Sequence, residues 1–144
     1  MKALLAAALV AALVVPAAAE EKLGAGVTLD DATPISAIVA SPKDYAGKTV
    51  RIDGVATAVC QAMGCWLAVS ESDKKDAPTI RLKVEDNGPI RFPMSAKGKK
   101  VSAQGTFEAI GGDAHGKEAA SEHAKADAKA STDYQISATG AVIR

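Results

Sequence analysis

The spacing of hydrophobic positions changes along the chain, and the changes mark out its elements. From Lys48 onward apolar and polar residues alternate. Val50 and Ile52 fall on one side and Arg51 and Asp53 on the other, which predicts a half-buried strand. Gly54 interrupts that strand, and a glycine in this position marks a bulge or a sharp coil. The strand resumes from Val55 to Cys60, and a second follows over residues 65–70. After a charged loop over 71–78, Ile80, Leu82 and Val84 alternate with Arg81 and Lys83 in a third. Asn87-Gly88-Pro89 is a turn. A fourth strand covers 99–108, and Tyr134, Ile136, Ala138, Gly140 and Ile143 supply a fifth. Gly98-Lys99-Lys100-Val101 followed by Gly105 echoes Gly47-Lys48-Thr49-Val50 followed by Gly54, as two similarly bent strands would. Upstream, Thr33-Pro34 signals a helix start, with Thr33 as N-cap and Pro34 in the first turn. Ile35, Ile38 and Val39 would share its buried face, and Ser41-Pro42 repeats the signal for one more turn ending near Gly47.

Five strands, bending glycines in the first, fourth and fifth, and an insertion before the last predict a mainly β protein. The closest architecture is a small five-stranded OB-like Greek-key barrel with a short N-terminal helix. A two-sheet sandwich is the competing arrangement. Residues 20–32 are charged and contain glycine, and read as a flexible lead-in. The insertion, 109–133, is Ala-rich and charged; 117–130 is helical by propensity but has no apolar stripe with which to dock.

The first nineteen residues set the compartment. Lys2, an apolar run from Ala3 to Val15, Pro16 and then Ala17-Ala18-Ala19 form the three parts of a secretory signal peptide. The run falls short of the ~20 residues that span a bilayer. Cleavage after Ala19 predicts a periplasmic protein without a transmembrane segment. The chain carries 17 basic and 17 acidic side chains, so losing Lys2 leaves it faintly negative. A surface so balanced does not suit nucleic acid, which requires a positive excess to displace counterions. One Trp, two Tyr and two Phe mean that the core is made chiefly from aliphatic residues.

Export also gives the two cysteines their context, Cys60-Gln61-Ala62-Met63-Gly64-Cys65-Trp66. A four-residue turn would pair Cys60 with Cys65, Ala58 with Leu67 and Ala56 with Val69, and would put Trp66 opposite Val59. Three chemistries suit the pair. In an oxidising compartment it can close as a disulfide, with Gly64 taking the positive φ of the turn. Two thiolates with Met63 as third ligand suit Cu(I) or another soft metal, and Trp66 could cap the cation with its ring. A redox-active dithiol is the third reading, although such pairs typically sit Cys-x-x-Cys at a helix N-terminus.

The chain resembles a family of secreted bacterial proteins built on a domain of unknown function. Its marks are a Gly-Lys-x-Val-x-x-x-Gly strand, here Gly47 to Gly54, followed by a Cys-Gln-x-x-Gly-Cys-Trp hairpin, here Cys60 to Trp66. Gly98 to Val101 matches as well, and the resemblance covers roughly 33–108 and the last strand. It implies an OB-like fold and no established activity. The tryptophan beside soft ligands is also similar in type to periplasmic copper-carrying OB proteins, a likeness of fold and ligand class rather than of motif.

Trp66, Arg81 and Lys83 would project from the outer face of the second and third strands, where OB folds bind ligands, and could stack a planar or anionic molecule. His115 and His123 are eight apart, which is not the spacing of a helical metal pair, and Met94 reads as packing. No Ser-His-Asp order, phosphate loop or dinucleotide fingerprint is present. The expectation is a non-enzymatic periplasmic binding module for a metal, small molecule or protein, with Cu(I) as the candidate cofactor. The alternatives are a disulfide-stabilised interaction domain of the cell envelope and an accessory of thiol–disulfide exchange.

Overall fold

The computed structural model describes residues 19–110 and 134–144. The expected leader and the insertion with its two histidines therefore lie outside the described residues, apart from Ala19, Ala109 and Ile110. The elements are β1 (Glu21–Gly24), α1 (Ile35–Ala40), α2 (Pro42–Tyr45), β2 (Thr49–Val59), β3 (Trp66–Ser70), β4 (Thr79–Lys83), a 3-10 turn (Met94–Ala96), β5 (Lys100–Ala109) and β6 (Tyr134–Ile143). The sheet runs β1-β6-β4-β3-β2-β5, and a further pairing of β5 with β6 closes strands β2 to β6 into a five-stranded barrel. All pairs are antiparallel except β4 with β6. Mainly β, closed and with two short helices, the chain is a small OB-like barrel rather than a sandwich.

Closure depends on β2 serving two neighbours. Its first half pairs with β5 from Thr49↔Thr106 to Val55↔Lys100, and its second half pairs with β3. Gly54 lies at the changeover, where an added Cβ would strike the carbonyl of Ser70 and the side chain of Val69. That close approach is what a side chain would forbid. The interior is aliphatic, with Ile52, Leu67, Val69, Ile80, Leu82, Val101, Ile136 and Ile143 buried around Phe107.

Three expectations are corrected. Residues 20–32 are not a free lead-in. β4 meets β6 only at Leu82↔Ile136 and Lys83↔Ser137, which leaves the rest of that β6 edge open, and β1 fills it from Glu21↔Ile143 to Gly24↔Gly140. The buried amide of Gln104 then takes the N–H groups of Thr28 and Leu29 at 2.7 and 3.0 Å. Second, Thr33 does not cap α1. Pro34 occupies the N-cap position in an extended conformation, and the Thr33 N–H is spent on the Arg51 carbonyl at 2.7 Å. Third, Ile35 and Ile38 are buried as expected, but Val39 faces solvent.

Candidate functional site

The cysteine hairpin takes its shape from one extra residue. Ala56 pairs with Val69 as the alternation predicts, but Ala58 pairs with Ala68 and Val59 with Leu67. Two residues advance on β2 for one on β3, so Thr57 is the additional residue of a β-bulge. Because side chains alternate, a slip of one exchanges the faces of everything beyond it. Val59 turns into the barrel core with Leu67, and Cys60 turns outward. Cys60 donates its N–H to the Trp66 carbonyl at 3.1 Å, so its cross-strand partner is Trp66 rather than Cys65. Cys60, Trp66 and Ala68 form a small buried cluster on the outer face, with Ala58 and Cys65 against it.

Cys65 lies in the turn, and its Sγ stands 3.3 Å from that of Cys60. The cysteines are free thiols. The disulfide reading is not what the structure shows, since 3.3 Å is well beyond a bond of about 2.05 Å.

Backbone contacts hold the turn. The Gly64 N–H bonds to the Cys60 carbonyl at 3.1 Å, the Phe92 N–H to the Gly64 carbonyl at 2.9 Å, and the Val84 N–H to the Cys65 carbonyl at 3.0 Å. Gly64 has φ +62°, the left-handed conformation foreseen for it. Thus the segment after β4 braces the cysteine turn from outside the hairpin.

The two sulfurs differ in electrostatics. Burial pushes the Cys60 thiol up, but the backbone N–H of Met63, the Cys65 thiol, and the N–H groups of Cys65 and Ala62 outweigh it. Together they bring Cys60 from 9.0 down to about 7. Cys65 moves the other way, raised by burial, by donating its S–H to Cys60 and by the charge on Cys60, with Lys83 working against the rise. One sulfur is therefore set up as a thiolate and its neighbour as the proton donor beside it.

The other sequence-selected residues divide. Met63 is on the turn and 58 % exposed. Trp66 joins the site, but not as an open ligand face. It is 6 % exposed, and the Arg81 guanidinium, itself buried, lies 5.4 Å from its ring centroid. The stacking surface expected for a planar ligand is thus already taken on that side by Arg81. Lys83 pairs with Asp86. Among the described residues no group of three or more His, Cys, Asp and Glu side chains gathers to hold a metal.

Sequence reasoning missed two features near the site. The bracing by Phe92 and Val84 joins positions 28 and 19 residues apart, which local periodicity does not report. A cavity of about 390 Å³ opens between the ends of β1 and β4, lined by Gly24, Val84, Glu85, Ile90 and Ala138. It depends on β1, which composition had marked as unstructured. No helix among the described residues is long and apolar enough to cross a membrane. No protein-family model, curated protein or solved structure matches the chain.

Proposed function

We propose that the protein is a non-enzymatic, periplasmic OB-like binding module that holds a soft monovalent cation, Cu(I), between Cys60 and Cys65. The observation that carries the reading is the sulfur pair itself, two unbonded cysteine sulfurs 3.3 Å apart in one turn whose backbone N–H groups converge on Cys60. Thiolates are soft ligands that suit Cu(I), a class they share with Zn and Fe–S sites. A cation entering between the sulfurs would replace the proton they share. The Cys-Gln-x-x-Gly-Cys-Trp resemblance and the secretory leader support the compartment.

The test is an anaerobic titration of fully reduced protein against a competing Cu(I) chelator. One equivalent should bind with a Kd well below ~1 μM, and Cys60→Ser should abolish that binding. Binding that is weak, or unchanged in Cys60→Ser, refutes the proposal.

A second reading, thiol–disulfide exchange, draws on the opposed shifts of the two thiols. Burial weighs against it. Cys60, the better nucleophile, is 5 % exposed, whereas Cys65 is the more accessible of the two. Exchange predicts turnover of a disulfide substrate that either Cys→Ser variant loses.

A further inference from the structure

Beyond the leader residue Met1, the chain has two methionines, Met63 and Met94. Both are exposed, at 58 % and 53 %, whereas the other large hydrophobic side chains among the described residues are mostly buried. A single exposed apolar side chain is ordinary. Two of one type, accounting for every methionine after the leader, and both on segments that meet at the cysteine turn, form a pattern.

The fold brings them to one place through the brace on the cysteine turn. Met63 immediately precedes Gly64, whose carbonyl accepts the Phe92 N–H at 2.9 Å. Gly64 lies so close to Phe92 that an added Cβ would fall 3.0 Å from the Phe92 nitrogen. Met94 follows Phe92 by two residues, so its Cα is at most about 7 Å from the Phe92 Cα. Pro93 leads into the 3-10 turn Met94–Ala96, where Ala96 is buried in the core and Met94 is turned out. The expectation that Met94 packs is therefore corrected: Ala96 does the packing from this turn. Neither thioether is committed to the core, and an unbranched side chain with three rotatable bonds can adjust to a ligand.

We propose that Met94, together with Met63, supplies thioether ligation to the cation held by Cys60 and Cys65, forming an open sulfur rim through which the ion enters and leaves. This rests on the Cu(I) reading above and extends it. Thioethers are neutral soft donors that favour Cu(I) over harder ions. They would complete a coordination shell for which the described residues provide no third Cys, His, Asp or Glu.

The test uses reduced protein labelled with ¹³C-methyl methionine, which gives one methyl signal each for Met63 and Met94, with Met1 as an internal control where the leader is retained. Cu(I) is added to one equivalent, and Met94→Leu assigns the spectrum. The expected result is that both the Met63 and Met94 signals shift and saturate together at one equivalent. Met94→Leu should weaken competed Cu(I) binding by about tenfold, with an unchanged unfolding midpoint because the side chain is exposed. If wild-type protein binds Cu(I) tightly but the Met94 signal stays still, or Met94→Leu binds equally well, the thioether inference is overturned and the cysteine site stands. If wild-type protein does not bind Cu(I), both fall.

Discussion

Gly64→Ala is the substitution that most directly tests how the cysteine turn is held. Two separable costs act at this position. An L-residue at φ +62° sits in the left-handed region, at roughly 1–2 kcal/mol. The new Cβ also meets the Phe92 backbone, 3.0 Å from its nitrogen and nearer still to its carbonyl oxygen. Backbone cannot swing aside as a side-chain tip can, so the two segments must separate and the 2.9 Å bond from Phe92 to Gly64 is lost, for about 1 kcal/mol more. Reduced entropy of the unfolded chain returns about 0.4–1 kcal/mol. The net expectation is a destabilisation of about 2 kcal/mol.

Gly47→Ala provides the control, because Gly47 has φ +78° but nothing within 4 Å of an added Cβ. It should show the conformational cost alone, about 1 kcal/mol after the same entropy correction. Urea unfolding of reduced wild type and both variants, fitted with a common slope, measures the difference. Gly64→Ala should also move the Cys60 thiol back up toward its ordinary value, since the turn N–H groups would no longer converge on the sulfur; Gly47→Ala should not. If the two variants are equally destabilised and the Cys60 thiol is unmoved, the brace between Gly64 and Phe92 is not what shapes the site.

Three further outcomes are expected. In reduced, metal-free protein, thiolate absorbance should develop with a midpoint near pH 7, and the transition should vanish in Cys60→Ser; a first midpoint near 9 would contradict the N–H cradle. The depressed value makes the stabilisation contributed by Cys60 complete above the unfolded thiol range near 9 and lost as pH falls through 7, so urea stability of wild type relative to Cys60→Ser should rise across that window. Gln104→Ala should speed hydrogen exchange at the Thr28 and Leu29 amides and cost about 1–3 kcal/mol, since two N–H groups lose their acceptor; unchanged exchange would mean that the amide does not clamp this segment. Arg81→Met keeps the aliphatic stem over Trp66 and removes the cation, and should cost at least about 1 kcal/mol while shifting Trp66 fluorescence; identical stability and emission would count against the cation–π contact.

The barrel was largely legible because alternation and glycine placement are local signals. Val50, Ile52, Ile80, Leu82 and Ile136 fall on the buried face that their period assigns, and Gly54 lies where β2 changes partners. What escaped the sequence reading was set by geometry elsewhere in the chain. Nothing in Glu21-Lys22-Leu23-Gly24 announces a strand; it becomes one because β4 leaves an open edge on β6. The faces of Ala58, Val59 and Cys60 were read in reverse because no glycine marks the bulge at Thr57, and threonine is a good strand residue. The same slip hid the contact between Cys60 and Trp66, which simple alternation puts on opposite faces. Met94 was taken for packing because an apolar residue between Phe92 and Ala96, both buried, gives no local sign of facing outward.

The bulge also decides where the two sulfurs stand. In the regular register both cysteines would stand at facing ladder positions, close enough for a disulfide to be feasible. Thr57 advances β2 by one residue and gives the facing position to Trp66, so Cys65 drops into the turn. There it is held through its carbonyl by Val84 while Gly64 is held by Phe92. Because those braces come from the segment after β4, the distance between the sulfurs is set by the closed barrel and not by the hairpin alone. Cys65 lies beside Cys60 and donates its S–H to it at 3.3 Å. Trp66 packs with Cys60 and Ala68 on the outer face, with the Arg81 guanidinium 5.4 Å from its ring centroid, and Met63 stands exposed on the turn between the cysteines.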